Sequence, residues 1–177
     1  MIIPPPNMQL RIVTDDDHKW LIALHNDPEV LKNLTNPDAI TMAQHVLWWE
    51  KTKIDQQQLR LIFTVNDEPV GFTKFYNIDS ANSNCMLGAD IHKDHRGKGY
   101  AKNMWAMMLN VSFFSMHMYR VSLTTAEFNT VGQRVYRGLG FKEEGRLVKS
   151  LYRECHFHDQ ICMYMLKDDW APEVPND

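Results

Sequence analysis

The chain has no run approaching the roughly 18 consecutive apolar residues that a membrane-spanning helix requires, so no membrane partner is expected. Its opening, Met1-Ile2-Ile3-Pro4-Pro5-Pro6, has neither a basic stretch nor an apolar one, and no secretory leader is read there. Cysteine is scarce. Cys85, Cys155 and Cys162 make an odd count without framework spacing, which points to reduced thiols and a cytoplasmic setting. Zinc-type spacing is also missing. Cys155, His156, His158 and Cys162 match no common site, and a strand would put Cys155 and His156 on opposite faces, so no metal is expected. Nor does charge of one sign dominate: the net charge of −3 gives no global attraction for nucleic acid. Repeats and low-complexity tracts are absent. What remains is 177 residues, 44% hydrophobic and 23% charged, enough for one buried core. One domain is expected over residues 10–170, flanked by flexible segments at 1–9 and 171–177.

Two periodicities organise that domain. Leu10 to Val13 reads as a short strand, after which Asp15, Asp16 and Asp17 cap a helix predicted through Leu24. Asn26-Asp27-Pro28 restarts a short helix, and Thr41-Met42-Ala43-Gln44 has capping-box form before an amphipathic helix to about Lys53. Leu59 to Val65 and Val70 to Tyr76 are β-rich and joined by the turn Asn66-Asp67-Glu68-Pro69; another strand runs from Cys85 to Ile91. A helix is predicted from about Tyr100 to His117, with Ala101, Met104, Trp105, Met108, Val111 and Phe114 on its core face. Val121 to Thr125 is a strand, and Asn129 to Leu139 a helix stopped by Gly140. Strands at about Arg146 to Arg153 and Gln160 to Leu166 close the chain. Hairpins first, then strands alternating with helices, predict an α/β (α+β) domain on a mixed sheet.

The junction before the long helix stands apart. Residues 92–102 carry Lys93, Arg96, Lys98 and Lys102 against Asp94, four cations to one anion, inside a net acidic chain. The first amides of a helix lack internal partners and face anions with the positive end of the dipole. Gly97 and Gly99 let a pyrophosphate approach the backbone directly. Neither a P-loop nor a dinucleotide fingerprint fits, because GxxxxGK[ST] and a third glycine are both absent. A solvated turn that merely caps the helix is the alternative.

Arg96-Gly97-Lys98-Gly99-Tyr100-Ala101 matches the Gln/Arg-x-x-Gly-x-Gly/Ala signature of the GNAT superfamily, between a strand and a helix as that signature requires. Asn129 to Phe141 resembles the family's second signature, Asn-x6-Tyr-x3-Gly-Phe. Leu10-Arg11 with Asn26 to Val30, Gly140 to Arg146, and His158-Asp159 through Trp170 are similar to the branch of ribosomal-protein-alanine, spermidine and amino-sugar acetyltransferases. The resemblance implies a single-domain GNAT fold, its mostly antiparallel sheet splayed at the fourth strand and flanked by helices, with acetyl-CoA in the cleft. It implies that Ile91, Arg96, Gly97, Lys98, Gly99, Tyr100 and Ala101 cradle the acetyl-CoA, that Asn129 holds the pantetheine arm, and that the backbone around Ala89 to Ile91 polarises the thioester. It also implies Tyr136 as general acid to the leaving thiolate.

Acetyl transfer to an amine needs a free amine, and at pH 7 an alkyl amine of pKa near 10.4 is free in only about one molecule in two thousand. A base or water chain must remove the proton. Members of the branch often carry glutamate where this chain has Met86; Asp90 lies on the same strand face by two-residue alternation and is the candidate that could replace it. His25, His45 and Glu50, on helices expected to wall the acceptor site, are further candidates, with Trp48 and Trp49 for stacking. Tyr136 also reads as a core tyrosine, and Asn129 as a simple helix cap. The expected acceptor is a small-molecule amine, a polyamine or amino sugar, and the expected assembly a homodimer. A protein N-terminus as acceptor, or a non-catalytic acyl-CoA sensor, are the alternatives.

Overall fold

The computed structural model describes residues 5–170. The first four residues and the tail at 171–177, both expected to be flexible, lie outside the described residues. Seven strands form one sheet in the order β1-β2-β3-β4-β5-β7-β6. They are β1 Met8–Ile12, β2 Leu59–Val65, β3 Glu68–Asp79, β4 Asn84–Ile91, β5 Arg120–Ala126, β6 Lys142–Arg153 and β7 His156–Leu166. The helices are α1 His18–His25, α2 Pro28–Leu31, α3 Met42–Thr52, α4 Tyr100–Asn110 and α5 Thr130–Leu139. β1 begins two residues before the expected Leu10: Met8 and Gln9 pair with Val65 and Thr64, so the segment read as loose through residue 9 is partly strand.

Local chemistry explains the corners. Asn66 and Asp67 turn β2 into β3 with both φ angles positive (51° and 65°), the geometry whose twist matches a two-residue hairpin. Glu154 and Cys155 do the same between β6 and β7. Thr41 accepts from the Gln44 amide while the Gln44 side chain accepts from the Thr41 amide, so α3 starts on a complete capping box. The long helix expected to reach His117 instead ends its regular part at Asn110 and widens over Val111–Ser115, where the Met116 amide bonds the Val111 carbonyl five residues back.

The sheet separates two apolar layers. Leu61, Phe63, Phe75 and Leu87 point to one side, against Met104, Trp105, Met108 and Phe113 of α4 and its extension, with Tyr136 and Leu139 of α5. On the other side Ile62 and Phe72 pack against Leu21, Leu24 and Val30 of α1 and α2. Strand alternation therefore sends Arg60, Lys74 and Asp90 to the second, thinner layer.

β4 and β5 are the parallel pair, and their ladder covers only Asn84–Met86 against Arg120–Ser122. Beyond Met86 the two strands diverge. β4 stays paired with β3 to Ile91 while β5 stays paired with β7 to Ala126, and the sheet opens at its fourth strand.

Candidate active site

The opening leaves backbone polar groups unpaired by the sheet. The His92 amide donates to the Val70 carbonyl at 2.9 Å, so by alternation the amides of Ala89 and Ile91 face away from β3 and into the splay. Directly beyond, His92 to Gly99 form the loop into α4. Gly97 (φ 75°) and Gly99 (φ 80°) hold left-handed backbone that other residues adopt at a cost, and no atom lies within 4 Å of the place a Cβ would take at either. Gly99 caps α4 without a side-chain bond, so no capping side chain takes up the first amides of that helix. These features fit a pyrophosphate group. Lys98 is exposed beside them, and Tyr100 and Ala101 are half-buried in the first turn of α4.

Arg96 is used differently from what its charge suggested. Its Nε donates to the Ile91 carbonyl at 3.0 Å, and its Nη2 lies 3.1 Å from the Asp27 carboxylate at the start of α2. The guanidinium pins the loop to the end of β4, and its charge is offset within the protein.

Tyr136 sits on the opposite wall of the splay. Asn129 caps α5 by accepting from the Gly132 amide (3.1 Å), and Gly140, at φ 100°, ends it while the Phe141 amide bonds the Tyr136 carbonyl. Between those caps, edge-on contacts with Trp105 (4.8 Å between centroids) and Phe141 (6.1 Å) hold the Tyr136 ring, which is 9% exposed. Burial, then the carboxylate of Asp90, then Tyr76 push its phenol pKa far above the ordinary value, against a hydrogen bond with Thr125 that lowers it. Thr125 Oγ1 in turn accepts from Asn129 Nδ2 at 3.1 Å. Asn129, Thr125 and Tyr136 are thus linked, and the tyrosine stays protonated across the working pH range.

On the α1–α3 side lies a cavity of about 360 Å³. Its apolar walls are Leu21, Leu24, Leu34, Ile40, Trp48 and Phe72. Its polar groups are His25, Gln44, His45, Arg60, Lys74 and Asp90. Asp90 is ion-paired with Lys74 Nζ at 2.5 Å. His45 Nε2 meets His18 Nδ1 at 2.9 Å, and burial, then His18 and His25, lower its pKa. Arg60 donates to the Phe75 carbonyl at 2.7 Å and to Gln58 Oε1, while burial pushes its pKa down to about 10 against the pull of Tyr76 and Asp55.

The structure thus gathers Asp90, His25, His45 and Trp48 at one cavity, close to the splay that Tyr136 walls. It does not bring Glu50 there: that side chain is exposed and paired with Lys53 (2.6 Å), because its place on α3 faces solvent. Trp49, about 100° round the helix from Trp48, packs half-buried on His18 instead of lining the cavity. Sequence reasoning missed Arg60, Lys74 and Thr125. The first two carried a readable signal, as single cations inside the apolar runs Leu59 to Val65 and Val70 to Phe75.

Residues 7–142 match the acetyltransferase (GNAT) domain family. The chain is 27% identical over 165 residues to the SPbeta prophage-derived uncharacterized N-acetyltransferase YokL of Bacillus subtilis, covering 93% of this chain and 92% of that protein. Its fold superposes on spermidine N-acetyltransferase from Vibrio cholerae, solved in complex with CoA and spermine. There the TM-score is 0.89 at 21% identity, over 94% of this chain and 99% of that one. A dodecameric structure of the Vibrio cholerae enzyme in an intermediate state matches with a TM-score of 0.83 at 20% identity, over 94% and 97% of the two chains. The chain belongs to the GNAT family and is an N-acetyltransferase.

Proposed function

We propose that the protein transfers the acetyl group of acetyl-CoA to the primary amine of a small molecule held in the cavity under α1–α3. The observation that carries this reading is the splay itself: exposed β4 amides on one wall, a protonated tyrosine on the other, and an uncapped helix N-terminus at its end. The amides of Ala89 and Ile91 are positioned to donate to the thioester carbonyl oxygen as charge builds on it. Gly97, Lys98, Gly99, Tyr100 and Ala101 hold the pyrophosphate, and Asn129 borders the pantetheine arm. Tyr136 donates its hydrogen bond to the departing thiolate. Its raised pKa makes a complete early proton transfer unfavourable, so it acts as a donor that strengthens as the thiolate forms. Thr125 engages the phenol oxygen and leaves the phenol proton free for the splay.

Asp90 assists deprotonation of the amine. One of its oxygens is held by Lys74, which leaves the other for a water or for the amine. The modest volume of the cavity, about 360 Å³, with its largely apolar walls, supports a small acceptor over a protein N-terminus. We also propose that the chain self-associates. β6 is an outer strand, and Leu147, Val148, Tyr152 and Phe157 on its hairpin with β7 are about half exposed or more.

The test is direct. Acetyl-CoA is expected to raise the melting temperature and to release thiol when primary amines are supplied. Gly99→Val forces a side chain into left-handed backbone and into the space of the phosphate, so the folded variant is expected to lose CoA binding. Unchanged CoA affinity in that variant, or no thiol release with any amine, would remove the proposal.

A further inference from the structure

Resting on the transferase reading above, we infer that the acceptor is an anionic amine, whose carboxylate or phosphate is held by Lys74 and Arg60 on the sheet floor of the cavity. The charge census of the lining leads there: Arg60 and Lys74 against Asp90 alone, a formal +1, with His25 and His45 neutral or positive. A polyamine would need the reverse. The carboxylates that a polyamine site could have drawn from the N-terminal helices and the segment after them are not among the residues that line it. Glu29 pairs with Lys32 at 2.5 Å, Glu50 pairs with Lys53, and Asp55 accepts from Gln57 and Gln58. The one carboxylate in the cavity is already neutralised by Lys74.

The two cations are placed as a pair. Arg60 and Lys74 are direct cross-strand partners on β2 and β3, their side chains on the same sheet face. Every hydrogen bond that Arg60 makes is to a neutral oxygen, from Leu59, Phe75 and Gln58. Its Nε–H is buried with no partner, and among the described residues no carboxylate lies within ion-pair distance of it. Asp55 acts on it only from beyond contact and the Tyr76 ring lies 6.0 Å from it, so the buried guanidinium has no carboxylate touching it, and an anionic ligand would offset the cost of its burial. Lys74 gives one N–H to Asp90 and keeps two more for a ligand. Neighbouring strands lie about 4.8 Å apart, so the anion held over β3 and β2 sits roughly 5–10 Å from the amine at β4. The substrate is therefore a compact zwitterion with its charges several bonds apart, its spacer against Trp48 and Phe72.

A matched panel decides this. Thiol release is compared for hexylamine, 1,6-diaminohexane, spermidine, 6-aminohexanoate, and 3-aminopropyl phosphate beside 3-aminopropanol. The acid-bearing amines are expected to exceed their neutral partners by about tenfold or more in kcat/KM, and that preference is expected to shrink as salt rises. The carboxylate and phosphate arms separate the two headgroups. Lys74→Met leaves Asp90 unpaired and is expected to abolish the preference and favour the diamine; Lys74→Arg is expected to restore it. Binding of the same amines in the presence of CoA, followed by thermal shift, reads the cavity without turnover. Selective binding of the anionic amines with no thiol release would sustain the pocket assignment while ending the transferase proposal. Spermidine as best acceptor, or an unchanged order of amines in Lys74→Met, would overturn the inference.

Discussion

A single hydroxyl separates the two readings of Tyr136. Tyr136→Phe keeps the ring between Trp105 and Phe141 and removes only the hydroxyl proposed as donor to the leaving thiolate. The expected result is a fall in kcat of about 10²–10⁴-fold with little change in KM for acetyl-CoA. A loss under about threefold, with chemistry rate-limiting, would leave the tyrosine as a packing residue. Asp90 is tested by its pH profile. If it relays the amine's proton, kcat/KM rises with pH along one ionisation in the native protein and the rise flattens in Asp90→Asn. The ion pair with Lys74 adds a condition, because removing the carboxylate also frees the ammonium. Asp90→Asn is therefore expected to strengthen binding of acid-bearing amines while it slows their acetylation. A profile that keeps its shape would exclude Asp90 and direct attention to His45 and His25, the other titratable bases in the cavity.

At the scale of elements, the helices over the cavity proposed for the acceptor are held by a small layer and a buried histidine. Burial and the neighbouring His18 and His25 keep the native pKa of His45 below its ordinary value of 6.5. The unfolded chain binds that proton as pH falls through about 6.5, whereas the folded chain resists it until lower pH. The contribution of His45 is thus whole above 6.5 and erodes as pH falls toward the depressed native value, with a limiting slope of about 1.4 kcal/mol per pH unit for one proton. Melting curves from pH 7.5 to 5.5 are expected to decline on the acid side, and His45→Gln is expected to flatten that decline. Equal slopes in the two proteins would show that another group is responsible.

For the whole molecule, the proposed self-association rests on the exposed apolar side chains of the β6–β7 hairpin. Light scattering is expected to give at least twice the 20.7 kDa of one chain. Val148→Lys combined with Phe157→Lys places charges on the hairpin without touching the core, and is expected to yield monomers that still bind CoA. A native protein that runs as a monomer at micromolar concentration would refute self-association.

The sequence by itself determined the element order, because apolar periodicity, capping boxes and turn residues are local properties. The capping box of α3, the positive-φ turn at Asn66 and Asp67, and the helix stop at Gly140 all follow from neighbours within a few residues. The two family signatures likewise lie on short contiguous stretches, and so the glycine loop before α4 and the helix that carries Tyr136 were legible. Tertiary structure alone decided what no window of sequence contains. It set the Arg96 guanidinium between Asp27 and the Ile91 carbonyl, where it ties the loop to β4, because the fold brings α2 and the end of β4 to either side of it. It paired Asp90 with Lys74 and placed Arg60 beside them, an arrangement set by strand register across three chain segments. It left Glu50 in solvent and brought Trp48 rather than Trp49 to the cavity, a choice made by the rotation of α3 against the sheet. The charge of the cavity between α1, α3 and the sheet is a sum over side chains from β2, β3, β4, α1 and α3, and that sum exists only once the strands are in register.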